Sequence, residues 1–174
     1  MNRQLLILRH GKSDWSVGLG DIKRPLKTRG KRSSQRMGLW LQQQSLLPDY
    51  ILSSPAARAK NTAKIVAKAM GLTVQQIHYR SQLYAANLRQ LKNALALCPH
   101  HSKRVLLIGH NPELESLLVF LNKGSLAIPD CGKLLPTATL AVFDMPDDWN
   151  VLSKGCGKLL SITRPKDLLD SVEL

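Results

Sequence analysis

The chain has 174 residues, 44% of them hydrophobic, and carries 25 Lys and Arg against 12 Asp and Glu, a formal net charge of +13. This excludes disordered, collagenous and low-complexity chains and suffices for one domain, residues 1–174, with a real core. No apolar run approaches the ~18–20 residues that span a bilayer, and the run Leu5 to Leu8 is too short for a signal-peptide core, so a soluble, cytoplasmic protein without membrane contact is expected.

Leu5-Leu6-Ile7-Leu8 predicts a first strand, ending at Arg9-His10-Gly11. A helix is predicted after Thr28, with Gly30 in its first turn and Met37, Trp40 and Leu41 facing inward at i, i+3 and i+4. Around its start lies the densest charge: Lys23, Arg24, Lys27, Arg29, Lys31, Arg32 and Arg36, with no acid from Ile22 to Pro48. Residues 1–70 hold 14 basic and 3 acidic residues, so this half of the chain makes the protein basic. A solvated helix face is the plain explanation of the stretch, and a rim that attracts an acidic or phosphorylated protein is the sharper one. Nucleic-acid binding ranks third and is not expected, because no aromatics are interleaved with the charges to stack bases.

Tyr50-Ile51-Leu52 predicts a second strand, stopping at Ser53-Ser54-Pro55. The next helix is expected to begin there, capped by Ser54 with Pro55 as first residue, and to bury Ala59, Ala63, Val66 and Met70. A third helix carries Leu88, Leu91, Leu95 and Cys98 on one face. Val105-Leu106-Leu107-Ile108 reads as a fully buried strand, and Gly109-His110-Asn111-Pro112 repeats the strand-to-helix junction. Asn111 is the expected cap and Pro112 the first residue of a helix that buries Leu114, Leu117, Leu118 and Leu121. Two further strands, over Thr139–Phe143 and Leu159–Thr163, flank a polar Asp147-Asp148 turn, and the pattern leaves their direction open. Strands alternating with amphipathic helices predict an α/β class, a three-layer α/β/α sandwich with a mostly parallel central sheet. The three cysteines, Cys98, Cys131 and Cys156, lack ligand-like spacing and read as packing thiols, so no metal is expected.

In open α/β sheets, ligands bind beyond the carboxyl ends of the strands, where the following helices present N–H donors. Three strand ends here carry Arg9-His10, Ser54-Pro55-Ala56-Ala57-Arg58 and His110-Asn111. Two guanidinium forks beside two imidazoles suit a phosphoryl dianion, and a neutral histidine is a competent phosphoryl acceptor. Arg58, in a helix's first turn, opposes the helix dipole, which favours a role as anion ligand over a stabilising one.

The three segments in order resemble the histidine phosphatase superfamily, and within it the SixA-type phosphohistidine phosphatases. Arg24-Pro25-Leu26, Arg29-Gly30 and the late pair Arg164-Pro165 extend the likeness over nearly the whole chain. Arg-His-Gly alone would be a weak signal; three motifs, each at a strand end, are strong together. The resemblance implies a phosphoglycerate-mutase-like fold and makes His10 a transiently phosphorylated nucleophile, with Arg9, Arg58 and His110 on the phosphoryl group and no metal or cofactor. Lys12, Ser13 and Trp15 follow the nucleophile and are weaker candidates for substrate contact.

One departure bears on the substrate. Many superfamily members keep a carboxylic acid, between the second arginine and second histidine or just after that histidine, to protonate the leaving group. This chain has no Asp or Glu from Ala59 to Pro112, and Ala85 stands in Leu83-Tyr84-Ala85-Ala86 where SixA-like relatives often have Glu. The missing acid favours a labile N–P bond, hence a phosphohistidine-bearing protein as substrate. The alternatives are a small-molecule phosphomonoesterase, with Asp14, Asp21, Glu113 or His78 as substitute acid, and a weakly catalytic module that docks phosphorylated partners.

Overall fold

Successive side chains of a strand point to opposite faces, so the run Leu5-Leu6-Ile7-Leu8 serves two cores at once. In the computed structural model, which describes residues 3–168, β1 (Arg3–Arg9) sends Leu5 and Ile7 into one apolar cluster and Leu6 and Leu8 into another. Beside it, β4 (Arg104–Gly109) does the same with Val105 and Leu107 against Leu106 and Ile108. All of these side chains are excluded from solvent, which is why both strands read as unbroken hydrophobic runs.

The sheet is completed by β2 (Tyr50–Ser53), β3 (Ile77–Tyr79), β5 (Leu140–Met145) and β6 (Lys158–Thr163), in the order β3-β2-β4-β1-β5-β6. The pairs β3–β2, β2–β4 and β4–β1 are parallel, whereas β5 runs antiparallel to both β1 and β6. The sheet is therefore mixed and mostly parallel. β3 is absent from the predicted strands because its three residues offer no run from which to read a period.

Helices cover both faces. α1 (Thr28–Gln43) and α2 (Ala57–Ala69) lie on the side of Leu6 and Leu8, contributing Met37, Leu41, Ala59, Ala63 and Val66. α3 (Leu88–Ala96) and α4 (Glu113–Leu121) lie on the side of Leu5 and Ile7 with Leu91, Leu95, Leu114 and Leu117. Cys98 follows α3 and is still buried. Among the described residues, no helix is long and apolar enough to cross a membrane.

Two helix starts differ from expectation. α2 begins at Ala57, with Ala56 at the cap position and no side-chain cap; the Ser54 hydroxyl accepts from Ala56 N–H at 3.3 Å, in the turn before the helix, and is also bonded across the sheet to His110 at 2.7 Å. α4 begins at Glu113 with Pro112 at the cap position, and the Asn111 amide instead donates to Glu115 Oε1 and Leu135 O, at 2.9 and 2.8 Å. Among the described α-helices, α3 alone carries a reciprocal cap, in which Asn87 and Gln90 each accept from the other's backbone N–H at 2.9 Å.

The carboxyl ends of β2, β4 and β1 lie side by side. In register, Ser53 pairs with Ile108, and Gly109 with Arg9. The residues that follow these strands, Ser54, His110 and His10, therefore emerge together at one edge of the sheet.

Candidate active site

The backbone N–H of His10 donates to Gly109 O at 3.1 Å, and Ala138 N–H bonds to the carbonyls of Arg9 and His10 at 3.1 Å each. The turn that follows presses on α1. A Cβ on Gly11 would lie 2.6 Å from Gly30 O, and one on Gly30 would overlap Lys12 O, so two facing glycines let the loop lie against the helix. Gly11 N–H donates to Thr62 Oγ1 at 3.0 Å, and that hydroxyl donates to Arg58 O at 2.8 Å, tying the loop to the first turns of α2.

His10 Nδ1 lies 2.7 Å from Gly11 O. A carbonyl can only accept, so Nδ1 carries the ring proton and Nε2 presents its lone pair. Burial, with His110, Arg58 and Arg9 adding to it against the pull of the Gly11 carbonyl, pushes the His10 pKa down to about 3. The His110 ring lies 5.2 Å away, centroid to centroid, tilted by 57°. Its Nε2 is hydrogen-bonded to Ser54 Oγ at 2.7 Å. Burial, and then Arg58, pushes the His110 pKa down to about 4. Both imidazoles are neutral at neutral pH.

Guanidinium groups surround them. Arg58, the second residue of α2 and buried, donates from Nη1 to Asp21 O at 2.6 Å and from Nη2 to Asp21 Oδ2 at 3.0 Å. Arg24, also buried, pairs with Asp21 Oδ1 at 2.8 Å and donates from Nε to Ser13 Oγ at 3.1 Å. Arg9 donates from Nη1 to Leu135 O at 3.0 Å. Tyr84 packs edge-on to His110 at 5.9 Å and donates its hydroxyl to Asp21 Oδ2 at 2.7 Å. The Tyr84 hydroxyl, with Arg58 and Arg24, holds the Asp21 carboxyl below the usual carboxylate range, so it stays ionised at neutral pH. Asp21 faces Arg24 and Arg58, and Glu115 acts on Arg9, so three guanidiniums stand against two carboxylates, leaving an excess of positive charge suited to a phosphoryl dianion. Nε of Arg9, Nε of Arg58 and Nδ1 of His110 are buried with no hydrogen-bond partner among the described residues, a reserve of polar groups around the two rings.

The structure thus gathers Arg9, His10, Arg58 and His110 at one edge. Ser13 is buried against Arg24, and Trp15 is 73% exposed with the Arg24 guanidinium 3.5 Å over its ring, so both touch the site through Arg24. Lys12 is exposed on the α1 side. Of the substitute acids, Asp14 lies on the outer loop with its carboxylate on Ser16, and His78 stacks on Tyr50 in the sheet at 4.2 Å; neither joins the cluster. Asp21 joins it as an anion. Glu113 opens α4 shortly after His110, with Oε2 enclosed and unpartnered among the described residues. Ala85 is exposed with φ 51°, next to Tyr84.

Four residues of the cluster, Arg24, Tyr84, Ser54 and Thr62, stand outside the candidate site residues that the sequence offers. Arg24-Pro25-Leu26 and Leu83-Tyr84 were visible as motifs and could have flagged the first two. Ser54 was hidden by its resemblance to a helix cap, and nothing local marks Thr62.

A family model described as histidine phosphatase superfamily (branch 1) matches residues 5–84. An uncharacterized protein of Mycobacterium tuberculosis is 27% identical over 165 residues, which cover 91% of this chain and 100% of that protein. A solved structure described as the putative phosphohistidine phosphatase SixA from Nakamurella multipartitia superposes with a TM-score of 0.79 at 26% identity, covering 95% of this chain and 97% of that one. Another, the putative phosphohistidine phosphatase SixA from Agrobacterium tumefaciens, gives a TM-score of 0.79 at 26% identity over 95% of this chain and 99% of that one.

Proposed function

This chain belongs to the histidine phosphatase superfamily and is a phosphatase with that superfamily's phosphoglycerate-mutase-like α/β fold; from that premise we propose that it hydrolyses protein phosphohistidine through a phosphorylated His10. The observation that carries this reading is the state of His10. Its Nδ1 proton is fixed on Gly11 O, its ring is neutral, and its free Nε2 stands among Arg9, Arg58 and His110.

In the first step Nε2 of His10 forms a bond to phosphorus while the bond from phosphorus to the substrate imidazole nitrogen breaks, its electron pair leaving with that nitrogen. Charge spread over the equatorial oxygens meets the guanidiniums of Arg9, Arg58 and Arg24, set in place beforehand. A substrate imidazole protonated on its other nitrogen departs neutral, so this step needs no dedicated acid. That fits a site whose best-placed carboxylate, Asp21, is held ionised. In the second step a water oxygen bonds to phosphorus while the bond to Nε2 breaks, its electron pair returning to Nε2 and restoring the neutral ring of His10, and dihydrogen phosphate leaves carrying both water protons. Asp21 acts as a positioning residue that holds Arg24 and Arg58 beside each other.

One observation favours a second reading. Glu113, with its enclosed and unpartnered Oε2, is the substitute acid that a small-molecule phosphomonoesterase would use. Comparing hydrolysis of phosphohistidine, an aryl phosphate and an alkyl phosphate separates the two. The proposal expects phosphohistidine to exceed the alkyl phosphate by orders of magnitude, with Glu113→Gln leaving phosphohistidine turnover intact. Comparable rates on alkyl phosphate that collapse in Glu113→Gln would replace the first reading by the second, and phosphate binding without turnover would point to the docking module.

A further inference from the structure

Beside the catalytic cluster, the first turns of α1, the loop over residues 131–139 and the segment after β6 enclose a cleft of about 750 Å³. Six cationic side chains line it: Lys12, Arg29, Arg32, Arg36, Arg164 and Lys166. Among the described residues no carboxylate lines it and none of the six is in an ion pair; the paired cations there are Arg24, Lys27 and Arg58. Like charges gathered without counter-charge weaken the folded state by mutual repulsion. Fold stability alone therefore gives no reason for this wall.

The cleft continues from the catalytic cluster. Lys12 follows His10 by two residues. The far wall, Pro136 to Thr139, is the loop whose Leu135 carbonyl holds Arg9 and whose Ala138 N–H holds the His10 carbonyl. Thr139, fully buried, lines the cleft and has a hydroxyl without a hydrogen-bond partner among the described residues. Arg29, Arg32 and Arg36 recur at i, i+3 and i+7, one face of a helix, and so form a row about 10 Å long. A row of that length suits an extended polyanion better than one phosphate. No aromatic side chain lines the cleft, so bases of a single-stranded nucleic acid would have no stacking surface.

We propose that this cleft docks an acidic protein segment, rich in Asp and Glu, on the partner whose phosphohistidine enters the site. The substrate half of that statement rests on the phosphohistidine reading; the docking half stands on the cleft alone. Arginine forks pair with carboxylates bidentately along the row, and Lys12 meets the segment where it turns toward His10.

The test uses the full chain and a fluorescently labelled Glu-rich peptide, with binding read by anisotropy. The wild type is expected to bind, with affinity falling steeply as salt rises. The double charge reversal Arg32→Glu/Arg36→Glu is expected to lose about tenfold or more in affinity, about 1.4 kcal/mol, while Arg89→Glu/Lys123→Glu, with the same charge change at exposed positions outside the cleft, keeps it. Circular dichroism confirms that both variants fold. On phosphohistidine carried by an acidic protein, Arg32→Glu/Arg36→Glu should raise KM with kcat unchanged, and on free phosphohistidine it should change nothing. Equal losses in both variants, or none in either, would overturn the proposal, as would displacement of the peptide by single-stranded DNA or polyphosphate at far lower concentration. If no phosphohistidine is hydrolysed while the peptide-binding pattern holds, the substrate reading fails and the docking surface stands.

Discussion

Two buried neutral histidines, His10 and His110, at the carboxyl edge of the sheet set an acid limit on stability. The perturbation is a fall in pH from 7 to 4.5, applied to the wild type and to a His10→Asn/His110→Asn variant. In the unfolded chain both histidines titrate near 6.5, whereas folding lowers them to about 3 and about 4. Between those limits the unfolded chain binds more protons than the folded one, so stability rises with pH, and the loss begins as pH falls through 6.5 and continues toward 3. At about 1.4 kcal/mol per pH unit for each group, the fall to 4.5 removes up to about 5 kcal/mol from the wild type. The variant lacks both titrations but keeps the carboxylates common to the two proteins. Urea denaturation at a series of pH values measures the difference in slope. A wild-type stability that falls with the same slope as the variant's would refute the claim that these rings are buried and neutral.

Three further outcomes follow from the same geometry. Asp21→Asn frees Arg24 and Arg58 from their carboxylate, so inorganic phosphate should inhibit severalfold more tightly; weaker or unchanged inhibition would contradict the shared use of these donors. Gly30→Ala places a Cβ against Lys12 O, and despite alanine's better helix propensity it should cost about 1–3 kcal/mol by denaturant titration and slow turnover. Ala85→Glu puts a carboxyl next in sequence to Tyr84, which packs on His110, and should raise the alkyl phosphate rate by about 10²-fold with little change on phosphohistidine, a ratio read directly by steady-state kinetics.

The parts of this molecule that the sequence made legible are those in which one chain segment carries its own signal. Leu5 to Leu8 and Val105 to Ile108 announce buried strands, and Arg9, His10, Arg58 and His110 stand at or just past strand ends, where an α/β sheet puts its chemistry. Contacts between distant segments were not legible. Asp21 meets Tyr84 across 63 residues, and no local pattern relates them. Ser54 and Asn111 have the chemistry of helix caps, yet Ser54 joins His110 as well as accepting from Ala56 N–H before the helix, and Asn111 donates to Glu115 and Leu135. A cap signal states only that a side chain can bond the backbone near it; the fold decides whether a better partner is in reach. The basic stretch is visible from the start as a composition, but its division between two places in the fold is not. Arg24 turns inward to Asp21, while Arg29, Arg32 and Arg36 line the cleft.

Passage of the phosphoryl group through His10 is followed by quenching the enzyme during turnover of phosphohistidine and locating the phosphoryl group by mass spectrometry. An acid-labile, alkali-stable phosphoryl adduct is expected on His10 within the first turnover, and in His10→Ala both the adduct and hydrolysis are expected to be lost. An adduct on another residue, or undiminished hydrolysis by His10→Ala, would contradict passage through His10.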